Sequence, residues 1–298
     1  MSDVSAVVVT YNAAPWIERC LDSLRGTGAE VIVVDNGSTD GTVELVREKF
    51  PEARLLEEEN RGFGAGNNTG MHAASGDFFL LLNADAWVVG DAVERLVGFA
   101  ESRPEAAVVG PKLLNPDGTL QRSVRGFPSV WRIATEYLFL RKLAPRSRLL
   151  NAFYGAGFDH ESVREAEFLG GACLLVRRAA FEAVGGFDED FFMMSEEVDW
   201  CYRFRQAGWK VLFYPGAEVV HVLTSSSNPT MFRHLVRGHL RFLAKHRGAR
   251  EAERARRLML VALRLRGLVF LGDRGRAYRD AARWLRSGRV ASLLESRE

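Results

Sequence analysis

FFLLLNADAW, residues 78–87, carries an unbroken apolar run into Asn83-Ala84-Asp85 and returns to a large apolar residue at Trp87. A run of this length without polar alternation reads as a strand covered on both faces, as in a parallel sheet. Asn83 and Asp85 would serve there as ordinary turn residues. What surrounds the run decides whether they do more.

Two earlier runs match it: SAVVVTY (5–11) and EVIVVDN (30–36). Between them, residues 15–25 place Trp16, Ile17, Cys20, Leu21 and Leu24 at helical spacing, and 40–50 repeats the pattern with Val43, Leu45, Val46 and Phe50. Alternating strand and helix implies right-handed crossovers. The expected fold is therefore α/β, a doubly wound, mostly parallel Rossmann-like sheet with a C-terminal helical extension. Further on, the pattern predicts a helix over 91–102, a strand over 106–114, a Pro-Asp-Gly turn at 116–118, a strand over 170–178, a helix reaching Gly185 and a helix in the later part of 190–208. WKVLFYP (209–215) and AEVVHV (217–222) read as two short strands, and nearly everything after Pro229 suits helix. Residues 120–165 lack periodicity and read as a mobile excursion over the site. Domains are expected at 1–228 and 229–298.

Open sheets of this kind bind ligands at the carboxyl ends of their strands. Those ends carry Thr10-Tyr11-Asn12, Asp35-Asn36-Gly37-Ser38 and Asn83-Ala84-Asp85. Any one cluster suits a turn or a helix cap; three on one rim suggest a site.

Composition narrows the classes. With 298 residues, 47% apolar and 26% charged, the chain can bury a large core and is not a disordered one. Its three cysteines, Cys20, Cys173 and Cys201, are odd in number and far apart, which suggests neither a disulfide framework nor a zinc knuckle. No signal-peptide pattern opens the chain. A cytoplasmic location is expected. The net charge of +2 divides unevenly: residues 229–298 hold 18 Arg and Lys against 6 Asp and Glu, a net of +12, leaving 22 against 32, or −10, for residues 1–228.

ENRGFGAGNNTG (59–70) has four glycines, Arg61 and three asparagines ahead of a small-residue helix. Glycines let a backbone approach a ligand, and a helix start offers N–H groups to phosphate. The spacing is not that of the dinucleotide fingerprint. Asp85 suits a divalent cation, and His221, closing EVVHV ahead of LTSSS, is its candidate partner, although a lone histidine after apolar residues is more often structural. Carboxylate with imidazole accommodates Mn²⁺ as readily as Mg²⁺. Glu196 and Glu197 emerge between FFMM and Trp200, and an apolar setting raises a carboxylate towards the range of a general base. Trp200 could stack on a sugar ring or sit in the core. There is no GxSxG elbow and no P-loop, which removes the best evidence for a hydrolase or kinase.

VVVTYNAAPWIERCLDSL, VVDNGSTDGT, NRGFGAGNNTG, LLLNADAWV, FFMMSEEVDWCYR and VVHVLTSS, in this order, resemble the family-two glycosyltransferases: inverting, nucleotide-sugar-dependent enzymes of the GT-A fold. The wording is most similar to the rhamnosyltransferase-like branch that builds bacterial cell-surface polysaccharides. The resemblance implies that Thr10, Tyr11, Asn12, Asp35 and Asn36 line the nucleoside pocket, with Arg61, Gly62 and Asn68 closing it. Asn83-Ala84-Asp85 stands where the family has its Asp-x-Asp element, so Asp85 would contact the metal, with Trp87 packed beneath it and His221 as remote ligand. Glu197 falls at the place of the base, and its longer side chain leaves Glu196 open as the alternative. The donor implied is a dTDP- or UDP-sugar, the acceptor a glycan or lipid-linked hydroxyl.

No stretch of the tail matches a membrane span, because Arg264 and Arg266 interrupt LMLVALRLRGLVFL. Basic amphipathic helices can lie on an anionic membrane, giving a peripheral placement on the inner face of the cytoplasmic membrane; a solvated subdomain or a subunit contact would have the same composition. The tail lacks the aromatic interleaving of a nucleic-acid surface, so no nucleic-acid partner is expected. A nucleotidyltransferase would need a basic glycine-rich signature near the first strand, which TYNAAPWIERC lacks. A non-catalytic sugar-nucleotide-binding or scaffold protein is the remaining alternative.

Overall fold

The computed structural model describes residues 3–147, 149–151, 153, 157–223 and 229–295. Thr224, Ser225 and Ser226 of the VVHVLTSS segment lie outside them. In chain order the first elements are β1 (Val4–Thr10), α1 (Ile17–Asp22), β2 (Glu30–Asp35), α2 (Thr42–Lys49), β3 (Arg54–Glu57), α3 (Phe63–Ala73), β4 (Phe78–Asn83), β5 (Ala86–Val88) and α4 (Ala92–Glu101). Then come β6 (Ala106–Leu114), β7 (Leu120–Gln121), β8 (Val124–Arg125), α5 (Val130–Tyr137), α6 (Leu140–Leu143), β9 (Arg164–Glu165), β10 (Phe168–Leu169), β11 (Cys173–Arg177), α7 (Arg178–Val184), α8 (Glu196–Gln206) and β12 (Lys210–His221). Four helices follow: α9 (Pro229–Arg247), α10 (Ala249–Val269), α11 (Gly272–Ser287) and α12 (Val290–Glu295).

The chain forms two units. The first gathers residues 1–124, 159–192 and 199–223, and the second gathers 125–158, 193–198 and 224–298. Helix α8 starts in the second and finishes in the first.

In the first unit the sheet order is β3-β2-β1-β4-β11-β6-β12-β5, with β7 on β6 and β9 on β12. The pairs β3–β2, β2–β1, β1–β4 and β6–β12 are parallel; β11 runs antiparallel between β4 and β6. Val8, Val33, Leu80 and Leu82 are wholly or almost wholly buried, as the continuous apolar runs require. Helix α3 lies close on β1 because two of its glycines face the sheet. A Cβ on Gly66 would come within 2.8 Å of Val9 Cγ1, and one on Gly70 within 2.3 Å of Val7 Cγ1.

The sequence reading changes in three places. WKVLFYP and AEVVHV are one twelve-residue strand, β12, whose parallel register against β6 shifts between Tyr214 and Glu218 and then resumes. Pro215, which has no N–H to donate, is accommodated as an irregularity instead of ending the strand. RLLE, too short to stand out, is the edge strand β3. Residues 120–165, expected to be irregular, contain the amphipathic helix α5, with Ser129 Oγ accepting from Arg132 N at its start and Ile133, Ala134 and Tyr137 buried.

The second unit is helical, with α9, α10, α11 and α12 packed together and α5 packed on α10. Its arginines reach the last carbonyls of neighbouring helices. Arg237 and Arg241 donate to Leu294 O of α12, Arg256 to Leu285 O of α11, Arg266 to Glu136 O of α5 and Arg279 to Gly267 O of α10. Carbonyls of a final helical turn have no intrahelical donor and sit at the negative end of the dipole, so guanidinium groups satisfy both needs. Part of the tail's positive charge is thereby structural. Among the described residues no helix is long and apolar enough to cross a membrane.

Candidate active site

The ladder registers align three strand ends. Thr10 of β1 faces Asp35 of β2, and Val9 faces Asn83 of β4, so the carboxyl ends of three adjacent parallel strands finish together. Each end holds a buried polar atom without a hydrogen-bond partner: Thr10 Oγ1, Asp35 Oδ1 and Asn83 Oδ1. Such an atom costs about 1–3 kcal/mol when left unpaired, so three in a row on the carboxyl rim mark a place shaped for a ligand.

The loops beyond the rim are tied to one another. Asp35 Oδ2 accepts from Gly37 N (2.9 Å) and Ser38 N (2.8 Å), which fixes the carboxylate. Asn12, at φ 51°, donates from its backbone N to Ser38 Oγ (2.8 Å) and accepts at Oδ1 from Thr39 N (2.8 Å). Tyr11 is exposed beside it. Asn36 Nδ2 donates to Gly62 O at 3.3 Å. Gly62 has φ 101°, and a Cβ there would lie 2.2 Å from Phe192 O, the acceptor of Phe63 N. Arg61 pairs with Glu189 at 3.0 Å. The Asn68 amide is spent inside the fold: Nδ2 donates to Phe187 O and Glu189 Oε1, and Oδ1 accepts from Phe187 N.

Asp85 and His221 come together. Strand β5 turns away from β4 and pairs antiparallel with β12, placing Ala86 opposite His221, while Val222 N donates to Asp85 O at 3.0 Å. Asp85 Oδ1 then lies 3.2 Å from His221 Nε2. Gln121, which showed no signal in the aperiodic stretch, sets the ring. Its Nε2 donates to His221 O (3.1 Å) and Asn115 Oδ1 (3.0 Å), so its Oε1 must accept from His221 Nδ1 at 2.7 Å. With Nδ1 engaged by Gln121, Nε2 is the ring nitrogen that faces the Asp85 carboxylate. Unpaired Asn83 Oδ1 lies on a residue whose Nδ2 is 3.4 Å from the same Nε2. Carboxylate and imidazole are donors that suit Mn²⁺ or Mg²⁺. Among the described residues no group of three His, Cys, Asp or Glu forms a metal cluster. Trp87 is covered by the Arg19 guanidinium, 3.7 Å above its ring.

Glu196 and Glu197 belong to the second unit. Two residues with left-handed backbone, Met194 (φ 68°) and Ser195 (φ 79°), turn the chain into them, and Gly238 of α9 lets that turn approach: a Cβ there would meet Met194 O at 2.4 Å. Burial and the adjacent Glu197 carboxylate push Glu196 well above the usual carboxylate range; burial also raises Glu197, opposed by the Arg125 guanidinium. Both Oε2 atoms are buried without a hydrogen-bond partner. In the same unit His239 is fully buried, with Tyr137 Oη 3.4 Å from Nδ1, and burial together with Arg125 pushes it down to about 4.

Trp200 is not available to a sugar. It is 0% exposed, its Nε1 donates to Gly185 O at 2.7 Å, and Phe187 and Phe204 pack against its ring. At its place on α8, helical periodicity turns the ring into the core, while Glu196 and Glu197 begin the helix.

The sequence model described as "Glycosyl transferase family 2" matches residues 5–185. The N-acetylglucosaminyl-diphospho-decaprenol L-rhamnosyltransferase of Mycobacterium tuberculosis is 35% identical over 255 residues, covering 80% of this chain and 82% of that protein. Among solved structures, the mannosyltransferase PcManGT of Pyrobaculum calidifontis, in complex with GDP-Man and Mn²⁺, superposes with a TM-score of 0.58 at 20% identity, over 98% of this chain and 78% of that one. GalNAc-T7, solved with UDP, GalNAc and Mn²⁺, superposes with a TM-score of 0.57 at 15% identity over 80% of this chain, which spans 48% of that protein. These two likenesses place the fold in the GT-A class.

Proposed function

The chain belongs to glycosyl transferase family 2 and is a glycosyltransferase, and from that premise we propose that it transfers a rhamnose-like sugar or other hexose, with inversion and divalent-metal dependence, from a dTDP- or UDP-sugar to a lipid-linked or glycan hydroxyl in bacterial cell-surface polysaccharide synthesis. The observation that carries this reading is the row of unpaired buried atoms along the rim, Thr10 Oγ1, Asp35 Oδ1 and Asn83 Oδ1, ending beside the Asp85–His221 pair. Such a row offers polar contacts to a nucleoside at one end and, at the other, a carboxylate and imidazole that would hold a cation for a diphosphate.

In this reading Thr10, Tyr11, Asn12, Asp35 and Asn36 hold the nucleoside, Arg61 and Gly62 close over it, and Asn68 holds the 187–189 segment whose Glu189 pairs with Arg61. Asp85 and His221, with Asn83 beside them, would hold Mn²⁺ or Mg²⁺, as the Mn²⁺ complexes of the two structural relatives suggest. When bound, the ion neutralises diphosphate charge and so assists the leaving group. Glu197 is the base, because Arg125 favours its charged form, while Glu196 retains a proton. The acceptor oxygen attacks the anomeric carbon and the bond to the diphosphate oxygen breaks. The nucleoside diphosphate leaves with that electron pair, and the acceptor proton passes to Glu197. A positioned base of this kind contributes about 10²–10⁴-fold. Residues 1–228 are the catalytic domain and 229–298 an extension that keeps the enzyme peripheral at the inner face of the cytoplasmic membrane, where a lipid-linked acceptor such as the decaprenol derivative of the mycobacterial relative would be met.

The test is a donor panel of UDP-, dTDP- and GDP-sugars with Mn²⁺ or Mg²⁺. Metal-dependent binding of one donor is expected, weakened in Asp85→Ala and retained in Glu197→Gln while turnover is lost. If no nucleotide sugar binds with either metal, the scaffold reading replaces this one.

A further inference from the structure

Helix α10 buries Ala252, Ala255, Met259, Ala262 and Leu263 as a helix in water should, but its last turns depart from that pattern. Its inner face buries Arg266, whose guanidinium carbon lies 3.8 Å above the Phe139 ring and 5.2 Å from that of Tyr278 while the group donates to Glu136 O. Its outer face and last residue expose Val261, Leu265, Leu268 and Val269, and the turn that follows exposes Leu271. Leu268, Val269 and Leu271 are 81%, 75% and 85% exposed. An arginine held inside by aromatic rings and a carbonyl, with five aliphatic side chains outside, makes an apolar patch that water does not favour.

The charges around the patch indicate what covers it. Arg257 and Arg264 are exposed on the same face at helical spacing from Val261, Leu265 and Leu268, Arg257 with Glu253 3.3 Å away, and Arg274 is exposed beyond the turn. Asp273, the acidic residue of that turn, is paired with Arg276. An aliphatic tip bordered by guanidinium groups matches the boundary of a bilayer: the tip enters the acyl layer and the arginines stay level with lipid phosphates. A second copy of this chain fits less well, since an isologous contact would bring the same arginines together.

We infer that the α10–α11 turn, with Leu265, Leu268, Val269 and Leu271 as the inserted groups and Arg257, Arg264 and Arg274 as the phosphate contacts, is the docking surface of this protein for an anionic membrane. The inference rests on the peripheral placement proposed above and names the surface responsible. It assigns binding to a few aliphatic side chains at one tip, whereas the general positive charge of the tail is partly occupied with helix carbonyls.

Flotation of the full chain with vesicles of phosphatidylglycerol and phosphatidylcholine, and with phosphatidylcholine alone, tests it against the double variant Leu268→Glu with Leu271→Glu. Both positions are exposed, so circular dichroism should show unchanged helix content. The wild type is expected to float with the anionic vesicles, and the variant to lose about tenfold or more in partitioning. Three results would overturn the inference: a wild type that does not float, a double variant that floats equally well, or a wild-type dimer in sedimentation that the double variant dissociates. Donor turnover with both proteins in the absence of vesicles separates this question from the catalytic one. Loss of flotation in the variant leaves the membrane surface standing even if neither protein turns over a nucleotide sugar.

Discussion

The sheet unit and the helical unit keep their polar groups in different places. In the first, the strands are apolar along most of their length, and three uncommitted polar atoms sit where adjacent strands stop, at Thr10, Asp35 and Asn83. In the second, titratable groups lie within the packing: Glu196 and Glu197 at a helix start, His239 between Tyr137 and Phe153, Arg266 among aromatic rings. A rim presents polar groups to a ligand at the open ends of the strands. A buried group is shifted by desolvation, which makes the second unit the one whose properties should follow pH.

The largest test of this contrast is catalytic. Glu197→Gln removes a proton acceptor while keeping shape, and turnover should fall about 10²–10⁴-fold with donor affinity unchanged, read from steady-state rates and calorimetric donor binding. Wild-type turnover should decline as pH falls through the raised range of Glu197, since only its ionised form accepts the proton. A flat acid limb would remove Glu197 from that role.

Next comes stability against pH. His239 stays neutral when folded, whereas the unfolded chain takes up its proton below about 6.5, so stability present above that pH is lost as pH falls towards 4. Holding this group from its ordinary 6.5 down to about 4 corresponds to about 3 kcal/mol at about 1.4 kcal/mol per pH unit. Glu196 acts in the opposite sense: the folded carboxyl keeps a proton that the unfolded chain releases above about 4.5, so its contribution is lost as pH rises. Glu196→Gln should therefore raise the melting temperature at neutral pH, and His239→Phe should flatten the acid limb. Thermal melts of both variants across pH 4–8 check the signs, and a melting temperature lowered by Glu196→Gln at neutral pH would contradict the assignment.

In the sheet unit the sharper effects are steric. Gly62→Ala places a methyl against Phe192 O in a left-handed backbone and should cost more than about 2 kcal/mol, measured by denaturant unfolding. The smallest expected effect concerns Gln121. Replacing it by Leu frees the His221 ring and should weaken Mn²⁺ binding about 10–100-fold, followed by electron paramagnetic resonance of the free ion, with little change in melting temperature. Unaltered Mn²⁺ affinity would mean that the ring needs no such partner.

Legibility followed the same division. The strands 5–11, 30–36 and 78–85 were readable because residues buried on both sheet faces must all be apolar, and the polar clusters that end them were readable as a rim because parallel strands end on the same side. Sequence could not show that β5 folds across to β12, nor that Gln121, a hundred residues before His221, sets that ring. Trp200 suited a stacking platform and a core side chain equally until α8 was seen to turn it inwards. Helix α5 was not legible because the stretch around it mixes aromatic and basic residues and lacks the strand–helix alternation that marked α1 and α2. The tail read as basic and helical, but which arginines face inwards is invisible in composition.

The chain's own order of residues therefore determined the class of sheet, the family it belongs to and the edge on which its chemistry lies, since these follow from local periodicity and from patterns read within short segments. Tertiary structure alone decided which distant groups meet: Asp85 with His221, Gln121 with the same ring, Arg266 with Phe139. These contacts depend on strand register and helix rotation, where one step turns a side chain to the opposite face, and no local pattern carries that information.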